Sequence, residues 1–184
     1  LSSGGVGKAL ADWIRDRRPP VELMDVDVRR VQAFQGNRAY LEERTTETLG
    51  LLFDMHWPYR QFATARDVRQ SPFHDRLKAL GACMTEAAGW ERPGFFGAPG
   101  TTPEIGYSYG RQSWFEACGE ECRNTAENVT LFDQSCFVKY QVEGRDALAV
   151  LNQVCANQID VPVGRVVYTQ WLNAQGGIVS DLTI

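Results

Sequence analysis

Two adjacent prolines, Pro19 and Pro20, set the first boundary in this chain. Proline has no backbone N–H and cannot continue a helix, so a helix that precedes the pair must end before it. Three arginines stand between Ile14 and the prolines, and basic residues favour the carboxyl end of a helix. The segment opens with glycines and then has apolar residues at helical spacing: Val6, Ala9, Leu10, Trp13 and Ile14. Residues 1–18 are therefore predicted to form a glycine-led amphipathic helix.

The ends of the chain argue against a simple one-domain interpretation. A length of 184 residues alone predicts one domain. Residue 1 is Leu rather than Met, however, and residues 180–184 have the pattern of a strand that no turn follows. We therefore expect a segment of a longer polypeptide, with exposed apolar side chains on the first helix and along the final strands.

Composition excludes several classes of protein. The formal net charge is −4 and the lysines and arginines are scattered, so no basic stripe is available for a nucleic-acid backbone. No apolar run approaches the roughly 20 residues that a membrane span needs. We expect neither a nucleic-acid partner nor a membrane span.

The five cysteines suit a reducing compartment, either a bacterial cytoplasm or the mitochondrial matrix. Cys118 and Cys122 are one helical turn apart, but both histidines lie far upstream, so no metal site is expected. The cysteines are interpreted as reduced thiols, mostly buried.

The middle of the chain is predicted to be a connecting module. A helix is expected over residues 38–52, and a second helix begins with Ser71 as its N-cap and ends at Gly81. Residues 89–110 combine glycine, proline and aromatic side chains, which is typical of loops held by aromatic contacts.

The last third has the most regular pattern. Residues 112–128 can be helical, residues 138–142 alternate as in a half-buried strand, and residues 147–155 have one apolar helical face. Residues 166–172 and 178–184 are then predicted to form two strands joined by a glycine-containing loop. The pattern as a whole indicates an α+β chain.

The glycines of the first helix are the first candidate for chemistry. Gly4-Gly5-Val6-Gly7-Lys8 suggests a phosphate-binding loop, but Ser2 and Ala9 stand where a Walker A motif needs Gly and Ser or Thr. Small residues at a helix N-terminus still allow another group to approach closely, and its amides attract an electron-rich oxygen. The alternative is a tight turn before a packed helix.

Asp181 is the second candidate. In a pleated strand it shares a face with Val179 and Thr183, so it lies either exposed at an edge or in a cleft where its charge orients an amine. Tyr168, on the partner strand, is either a core residue or a residue of that cleft.

Taken together, several sequence blocks resemble the sarcosine and dimethylglycine dehydrogenase family over essentially the whole chain. That family includes the regulatory subunit of pyruvate dehydrogenase phosphatase, whose central region resembles residues 71–81. The blocks are Gly4-Gly5-Val6-Gly7-Lys8 with Asp12-Trp13-Ile14, Asn37-Arg38-Ala39-Tyr40-Leu41, His56-Trp57-Pro58, Ser71-Pro72-Phe73-His74-Asp75-Arg76-Leu77, Gly89-Trp90-Glu91-Arg92-Pro93, Leu172-Asn173, Gly176-Gly177-Ile178 and Asp181-Leu182.

The resemblance implies three parts. Residues 1–18 are the end of an FAD-dependent oxidoreductase domain, whose last helix they contain. Residues 19–80 form the central domain of such an oxidoreductase. Residues 81–184 are the N-terminal part of a folate-binding domain similar to the aminomethyltransferase (T-protein) of the glycine cleavage system.

The resemblance also implies the site residues. Gly4, Gly5, Val6 and Gly7 are expected beside FAD. Asp181 is expected to be the catalytic carboxylate that orients tetrahydrofolate, and Phe137 and Tyr168 are expected to line the folate cleft. Ser180 occupies the position of the first acid of the family's acidic pair, which leaves Asp181 as its one carboxylate.

The activity implied is the oxidation of a small N-methyl amine, with transfer of the one-carbon unit to tetrahydrofolate. The amine-binding residues lie upstream of Leu1 in this interpretation, so this segment alone is expected to be inactive. The alternative is a non-catalytic regulatory relative, motivated by the likeness of residues 66–77 to the phosphatase subunit. A stand-alone T-protein piece is disfavoured because residues 1–80 have no place in one. The electron acceptor and the particular amine are not defined by these residues.

Overall fold

A computed structural model describes residues 3–23 and 26–184 as a mixture of helices and small sheets, compatible with the predicted α+β class. Leu1 and Ser2, which open the predicted first helix, lie outside the described residues. The chain divides into two compact units, residues 1–136 and 137–184. Each unit is described by itself.

The first helix, α1, spans Ser3–Asp16 and confirms the predicted glycine-led helix. Arg17 follows it with a φ of +58°, and the prolines come next. The apolar side chains Val6, Leu10 and Ile14 are 61%, 54% and 73% exposed, as the sequence predicts for this end of the chain.

The second helix, α2, spans Arg38–Leu51 and is also as predicted. Asn37 caps it by accepting hydrogen bonds from the amides of Ala39 and Tyr40. Arg44 is buried and donates hydrogen bonds from Nη2 to the carbonyls of Thr64 and Ala65, at 2.7 and 3.1 Å. The helix thereby holds the loop that follows it.

The third helix, α3, spans only His74–Ala79 and is shorter than predicted. Ser71 Oγ accepts a hydrogen bond from the Phe73 amide at 3.2 Å, but Pro72 and Phe73 form a turn rather than the first helical residues. The predicted stop is confirmed, because Gly81 has a φ of +90°.

Strands β1, Ala82–Ala87, and β2, Trp90–Phe96, form an antiparallel hairpin where the sequence predicts a loop from Gly89 onwards. That prediction is wrong for this part of the chain. Ala88 and Gly89 both have positive φ, +51° and +81°, as a tight two-residue hairpin turn requires. Gly94 is the extra residue of a β-bulge, opposite the step from Cys83 to Met84. The glycines here shape a hairpin instead of interrupting it.

An ion pair between Arg66 and Glu91 joins the central segment, the stretch between α2 and α3, to β2. The two residues are 25 positions apart in the sequence. Arg66 Nε donates to Oε1 of Glu91 at 2.7 Å, and the Glu91 side chain is 2% exposed. Beside this pair, the amides of Arg69 and Glu91 donate to the carbonyls of Gly89 and Arg69 at 3.0 and 2.9 Å. Burial raises the pKa of Glu91, but hydrogen bonds from Arg66 and the Asp67 amide outweigh burial, and the net pKa is lowered.

Helix α4 spans Phe115–Glu127, within the predicted helical range 112–128. Its Glu121 accepts a hydrogen bond from the Phe96 amide at 2.7 Å, which joins α4 to β2. Just before the helix, the Trp114 ring stacks on Phe95 and meets Tyr59 edge to face, with centroids 6.3 and 5.9 Å away.

In the second unit, helix α5 spans Ala147–Val154, and strands β3, Tyr168–Leu172, and β4, Ile178–Thr183, form an antiparallel hairpin. These elements confirm the predicted helix and strand pair. The strand predicted over residues 138–142 is wrong, since none is assigned there and the apolar side chains Val138, Tyr140 and Val142 are 71%, 85% and 53% exposed. Alternation alone does not make a strand; it needs a neighbour for its backbone hydrogen bonds.

All five cysteines are free thiols, but only Cys83 is buried, so the prediction that most are buried is wrong. Burial is the main cause of the raised pKa values of Cys83 and Cys118. Within residues 3–23 and 26–184, no helix is long and apolar enough to cross a bilayer.

Candidate functional site

The second hairpin brings two of the predicted site residues together. Tyr168 Oη donates a hydrogen bond of 3.1 Å to Oδ2 of Asp181. Tyr168 stands opposite Thr183 in the register, and Asp181 stands opposite Gln170, so the bond runs diagonally across the hairpin. Tyr168 is 59% exposed, so it is not a core residue of the described unit.

The hydrogen-bond pattern of the hairpin explains why these side chains are close. Val167 and Ile184 exchange both backbone hydrogen bonds, at 2.8 and 2.9 Å. Because such pairs alternate with non-hydrogen-bonded pairs, Gln170 and Asp181 form a non-hydrogen-bonded pair, in which opposite side chains lie closest. Tyr168, Gln170 and Asp181 therefore share one face of the hairpin.

The loop after α5 fixes the outer edge of β3. The Asn157 side-chain amide donates to the carbonyl of Tyr168 at 2.8 Å, and its backbone amide donates to Oγ1 of Thr169 at 3.0 Å. The Ala156 amide donates to the carbonyl of Gln170 at 2.8 Å. Thr169, on the opposite face from Tyr168, is fully buried. The buried face thus anchors the strand while the Tyr168 face stays open.

The turn and a bulge set the position of Asp181 along β4. Asn173 Oδ1 accepts hydrogen bonds from the amides of Gln175 and Gly177, at 3.0 and 2.8 Å, and Gly176 has a φ of +78°. The register then shifts between Trp171 and Leu172, which leaves Val179 as the extra residue of a bulge. The simple alternation that grouped Val179 with Asp181 is interrupted there.

Apolar side chains near the turn end of the hairpin are exposed. Ile178 and Val179 are 69% and 65% exposed, as predicted for the end of the chain. Phe137, the remaining predicted folate contact, is 56% exposed. No hydrogen bond or ring contact in the described part of the unit joins Phe137 to Tyr168 or Asp181.

The predicted flavin neighbours lie at the start of α1. Gly4, Gly5 and Gly7 belong to the helix, and a Cβ atom placed on each of them would meet nothing within 4 Å. A glycine inside a helix costs roughly 1 kcal/mol relative to alanine, and no neighbour among the described residues requires one. Val6 is exposed beside them. The glycines leave an open, small-residue surface at the helix start.

Two residues of the hairpin site escaped the sequence analysis. Gln170 shares the face of Tyr168 and Asp181, and Asn157 supports their strand from the side. The period-2 pattern of residues 166–172 is a signal for Gln170. Asn157 has no such signal, because its role depends on how a loop folds back against β3.

Metal ligands do not cluster in the described ranges. No group of three or more His, Cys, Asp or Glu side chains there could hold a metal ion.

The chain matches two protein families in sequence. Residues 73–184 match the family described as "GCVT N-terminal domain". Residues 18–71 match the family described as "FAD dependent oxidoreductase central domain".

Several characterised proteins are similar to the chain. It is 47% identical to 4-methylaminobutanoate oxidase (formaldehyde-forming) of Paenarthrobacter nicotinovorans, over 98% of this chain and 22% of that protein. It is 36% identical to the mitochondrial pyruvate dehydrogenase phosphatase regulatory subunit of Mus musculus, over 98% of this chain and 21% of that protein. It is 31% identical to mitochondrial dimethylglycine dehydrogenase of Homo sapiens, over 100% of this chain and 21% of that protein. The chain spans about a fifth of the length of these relatives.

Proposed function

The chain belongs to the GCVT N-terminal domain family, here preceded by an FAD dependent oxidoreductase central domain, and we propose that it is part of a flavoprotein that oxidises an N-methyl amine and passes the one-carbon unit to tetrahydrofolate. The resemblance to dimethylglycine and sarcosine dehydrogenases is confirmed. Relatives named for the oxidation of 4-methylaminobutanoate and dimethylglycine support the amine substrate.

In this proposal the division of the chain is the one expected from its sequence. Residues 1–18 end the FAD-binding domain, residues 19–80 form the central domain, and residues 81–184 begin the folate-binding domain. Related proteins are mitochondrial or bacterial, which supports a mitochondrial matrix or bacterial cytoplasmic location.

The start of α1 fits a flavin neighbour. A Cβ atom placed on Gly4, Gly5 or Gly7 would meet no described atom within 4 Å apart from chain neighbours and the helix backbone, so a planar ring could approach the backbone closely. The first amides of a helix have no intrahelical acceptor and carry partial positive charge, which would stabilise negative charge on the ring. When bound, FAD would supply the two-electron acceptor for the hydride of the N-methyl carbon.

The single observation that carries the folate part of the proposal is the hydrogen bond between Tyr168 and Asp181. Tyr168 engages Oδ2 of Asp181, while Oδ1 accepts no hydrogen bond from the described residues. A carboxylate held by one oxygen keeps the other available to accept an N–H from a ligand amine. The fixed orientation of the carboxylate would position that amine for reaction.

The two steps balance, because the first consumes one molecule of water and the second releases one. Loss of a hydride from the N-methyl carbon gives an iminium ion, and water adds to it to release formaldehyde and the demethylated amine. Formaldehyde then condenses with N5–H and N10–H of tetrahydrofolate, which forms two C–N bonds and releases water. Asp181 would orient the N10 amine during this condensation.

The test is Asp181→Ala in the full-length protein, with amine oxidation measured by a dye and formaldehyde measured in the presence of tetrahydrofolate. We expect nearly unchanged oxidation and a rise in free formaldehyde. Asp160→Ala is the matched control, because Asp160 is an exposed aspartate of the same unit that does not lie on the hairpin. Unchanged coupling in Asp181→Ala would remove Asp181 from the mechanism.

A second candidate function is a non-catalytic regulatory subunit. It is favoured by the 36% identity to the mouse pyruvate dehydrogenase phosphatase regulatory subunit. Anaerobic addition of 4-methylaminobutanoate, dimethylglycine and sarcosine to the full-length protein separates the two functions. Loss of flavin absorbance with any of these amines supports the enzyme, whereas an unchanged spectrum with all three supports the regulatory function.

A further inference from the structure

Gln170 lies on the same hairpin face as the proposed folate-orienting pair and has no role in the function described so far. We propose that Gln170 recognises the reduced state of the pterin ring, by a two-point hydrogen bond to its N5–H and C4 carbonyl. This inference rests on the proposed function, since it names the form of folate that the same site selects.

The register places Gln170 directly opposite Asp181. The backbone carbonyl of Gln170 accepts a hydrogen bond from the Ala156 amide, so the backbone N–H and C=O groups of Gln170 point away from β4. The two residues therefore form a non-hydrogen-bonded pair, with Cα atoms about 4.5 Å apart, the closest approach of side chains in an antiparallel sheet. Their polar ends can reach nearby atoms of one small ligand.

Gln170 differs from Asp181 in having no side-chain hydrogen bond within residues 3–23 and 26–184. It is half-buried, whereas the neighbouring turn residue Gln175 is exposed. A primary amide offers an N–H donor and a carbonyl acceptor side by side. Gln170 therefore presents a donor–acceptor edge beside the free Oδ1 of Asp181.

Tetrahydropterin has the complementary edge. Its C4 carbonyl is an acceptor, and the adjacent N5 carries a hydrogen in the reduced ring. Fully oxidised folic acid has no hydrogen on N5, so the side-chain carbonyl of Gln170 would face a lone pair there. A site built to pair with an N–H rejects an analogue that lacks it, because its own acceptor is left unpaired. Gln170 would therefore favour the form of folate that can react at N5.

The two side chains divide the reacting amines between them. Gln170 holds N5 and Asp181 holds N10, which are separated by two carbon atoms in tetrahydrofolate. Both nitrogens must reach the same formaldehyde carbon when the methylene bridge closes. Opposite positions on a hairpin suit this requirement, and Asn157 holds the Gln170 strand in place from its outer edge.

The experiment measures equilibrium binding of three probes to the full-length protein: tetrahydrofolate, folic acid, and 5-deazatetrahydrofolate, which has carbon in place of N5. Gln170→Met keeps the length of the side chain and removes its donor and acceptor. We expect this change to weaken tetrahydrofolate binding about tenfold and leave the other two probes within about twofold. The preference for tetrahydrofolate over folic acid would fall by the same factor.

Two controls separate the possible outcomes. Gln175→Met alters an exposed glutamine of the hairpin turn, and should leave all three affinities unchanged. Gln170→Ala serves as a second variant, with an unchanged urea midpoint showing that the protein is folded. An unchanged preference in both Gln170 variants overturns this inference and leaves the proposed function standing. Failure of the wild-type protein to bind tetrahydrofolate overturns the proposed function, and this inference with it.

Discussion

The guanidinium of Arg66 pairs with the buried carboxylate of Glu91 and joins the central segment to strand β2. Arg66 also donates to the carbonyls of Met84 and Phe62, at 3.0 and 3.3 Å. Arg66 lies in the part of the chain that matches the first family and Glu91 lies in the part that matches the second, so the ion pair links the two sides of the boundary between residues 71 and 73. In this structure the first hairpin is bound to the segment before it by charge as well as by backbone hydrogen bonds.

Removal of one partner should cost far more than removal of both. Arg66→Met leaves the Glu91 carboxylate buried without its cation, and we expect a loss of about 3 kcal/mol in the free energy of unfolding. The double variant Arg66→Met/Glu91→Leu should recover most of that loss, because an apolar pair of similar volume replaces the ion pair. Urea unfolding followed by tryptophan fluorescence measures both. A double variant no more stable than Arg66→Met would contradict the ion-pair interpretation.

Glu91 should also make the stability depend on acid pH. Its pKa in the folded chain lies below the ordinary value, so the unfolded chain binds a proton more readily. The stabilisation is present above the ordinary glutamate pKa, about 4.3, and is lost as pH falls through the lower folded value. Urea midpoints measured from pH 6 downwards should show this loss, and Glu91→Gln should reduce it. Glu120→Gln, on the exposed side of α4, is the control that should retain the wild-type pH dependence.

Gly89 should be the least replaceable glycine of the first hairpin. Its φ is +81°, and a Cβ atom there would lie 2.5 Å from Cζ of Phe34. Gly100 has a similar φ of +78° but nothing within 4 Å of a Cβ atom. Its replacement therefore measures the cost of backbone strain without a steric clash. We expect Gly100→Ala to cost about 1 kcal/mol and Gly89→Ala about 3 kcal/mol in urea unfolding. When the Phe34 ring is removed, in Phe34→Ala/Gly89→Ala, the replacement of Gly89 should cost less stability. Equal losses of stability in Gly89→Ala and Gly100→Ala would show that the contact with Phe34 is unimportant.

The regular elements could be predicted from the sequence because each has a local signal. The helix α1 follows from apolar spacing and paired prolines, and the second hairpin follows from alternation around a glycine-containing loop. The first hairpin could not be predicted, since Ala88 adopts a positive φ that alanine rarely takes. Its ion pair depends on Arg66 and Glu91, which only the fold brings together.

The candidate site shows the same division. Alternation left Asp181 either exposed at an edge or in a cleft, and its partner strand left Tyr168 either in the core or in that cleft. The resemblance then assigned both residues to the folate site. Their hydrogen bond depends on the register, and the register depends on a bulge at Val179 that alternation does not indicate. Gln170 was missed because its importance arises only once Asp181 is known to stand opposite it.

Tyr168→Phe should weaken folate coupling less than Asp181→Ala. The phenylalanine ring keeps the apolar contact area but removes the hydrogen bond that fixes Oδ2 of Asp181. We expect a few-fold rise in the tetrahydrofolate concentration needed for coupling, with dye-linked amine oxidation unchanged, since one exposed hydrogen bond contributes about 1 kcal/mol. Tyr140→Phe is the control, an exposed tyrosine of the same unit that belongs to neither strand of the hairpin. Equal coupling in wild type and Tyr168→Phe would show that Asp181 needs no support from Tyr168.

Gly7→Leu distinguishes a flavin neighbour from a simple helix residue. Leucine has the higher helix propensity, and a Cβ atom at position 7 would meet no described atom within 4 Å apart from its chain neighbours and the helix backbone, so helix α1 by itself should gain about 1 kcal/mol. If FAD lies against this surface, the same side chain occupies its space, and we expect the purified full-length protein to retain markedly less flavin per chain by absorbance. Gly50→Leu, in the last turn of α2 and equally open, should leave the flavin content unchanged. Full flavin content in Gly7→Leu, together with a more stable protein, would show that α1 does not contact the flavin. Glycine at position 7 would then affect only the stability of the helix.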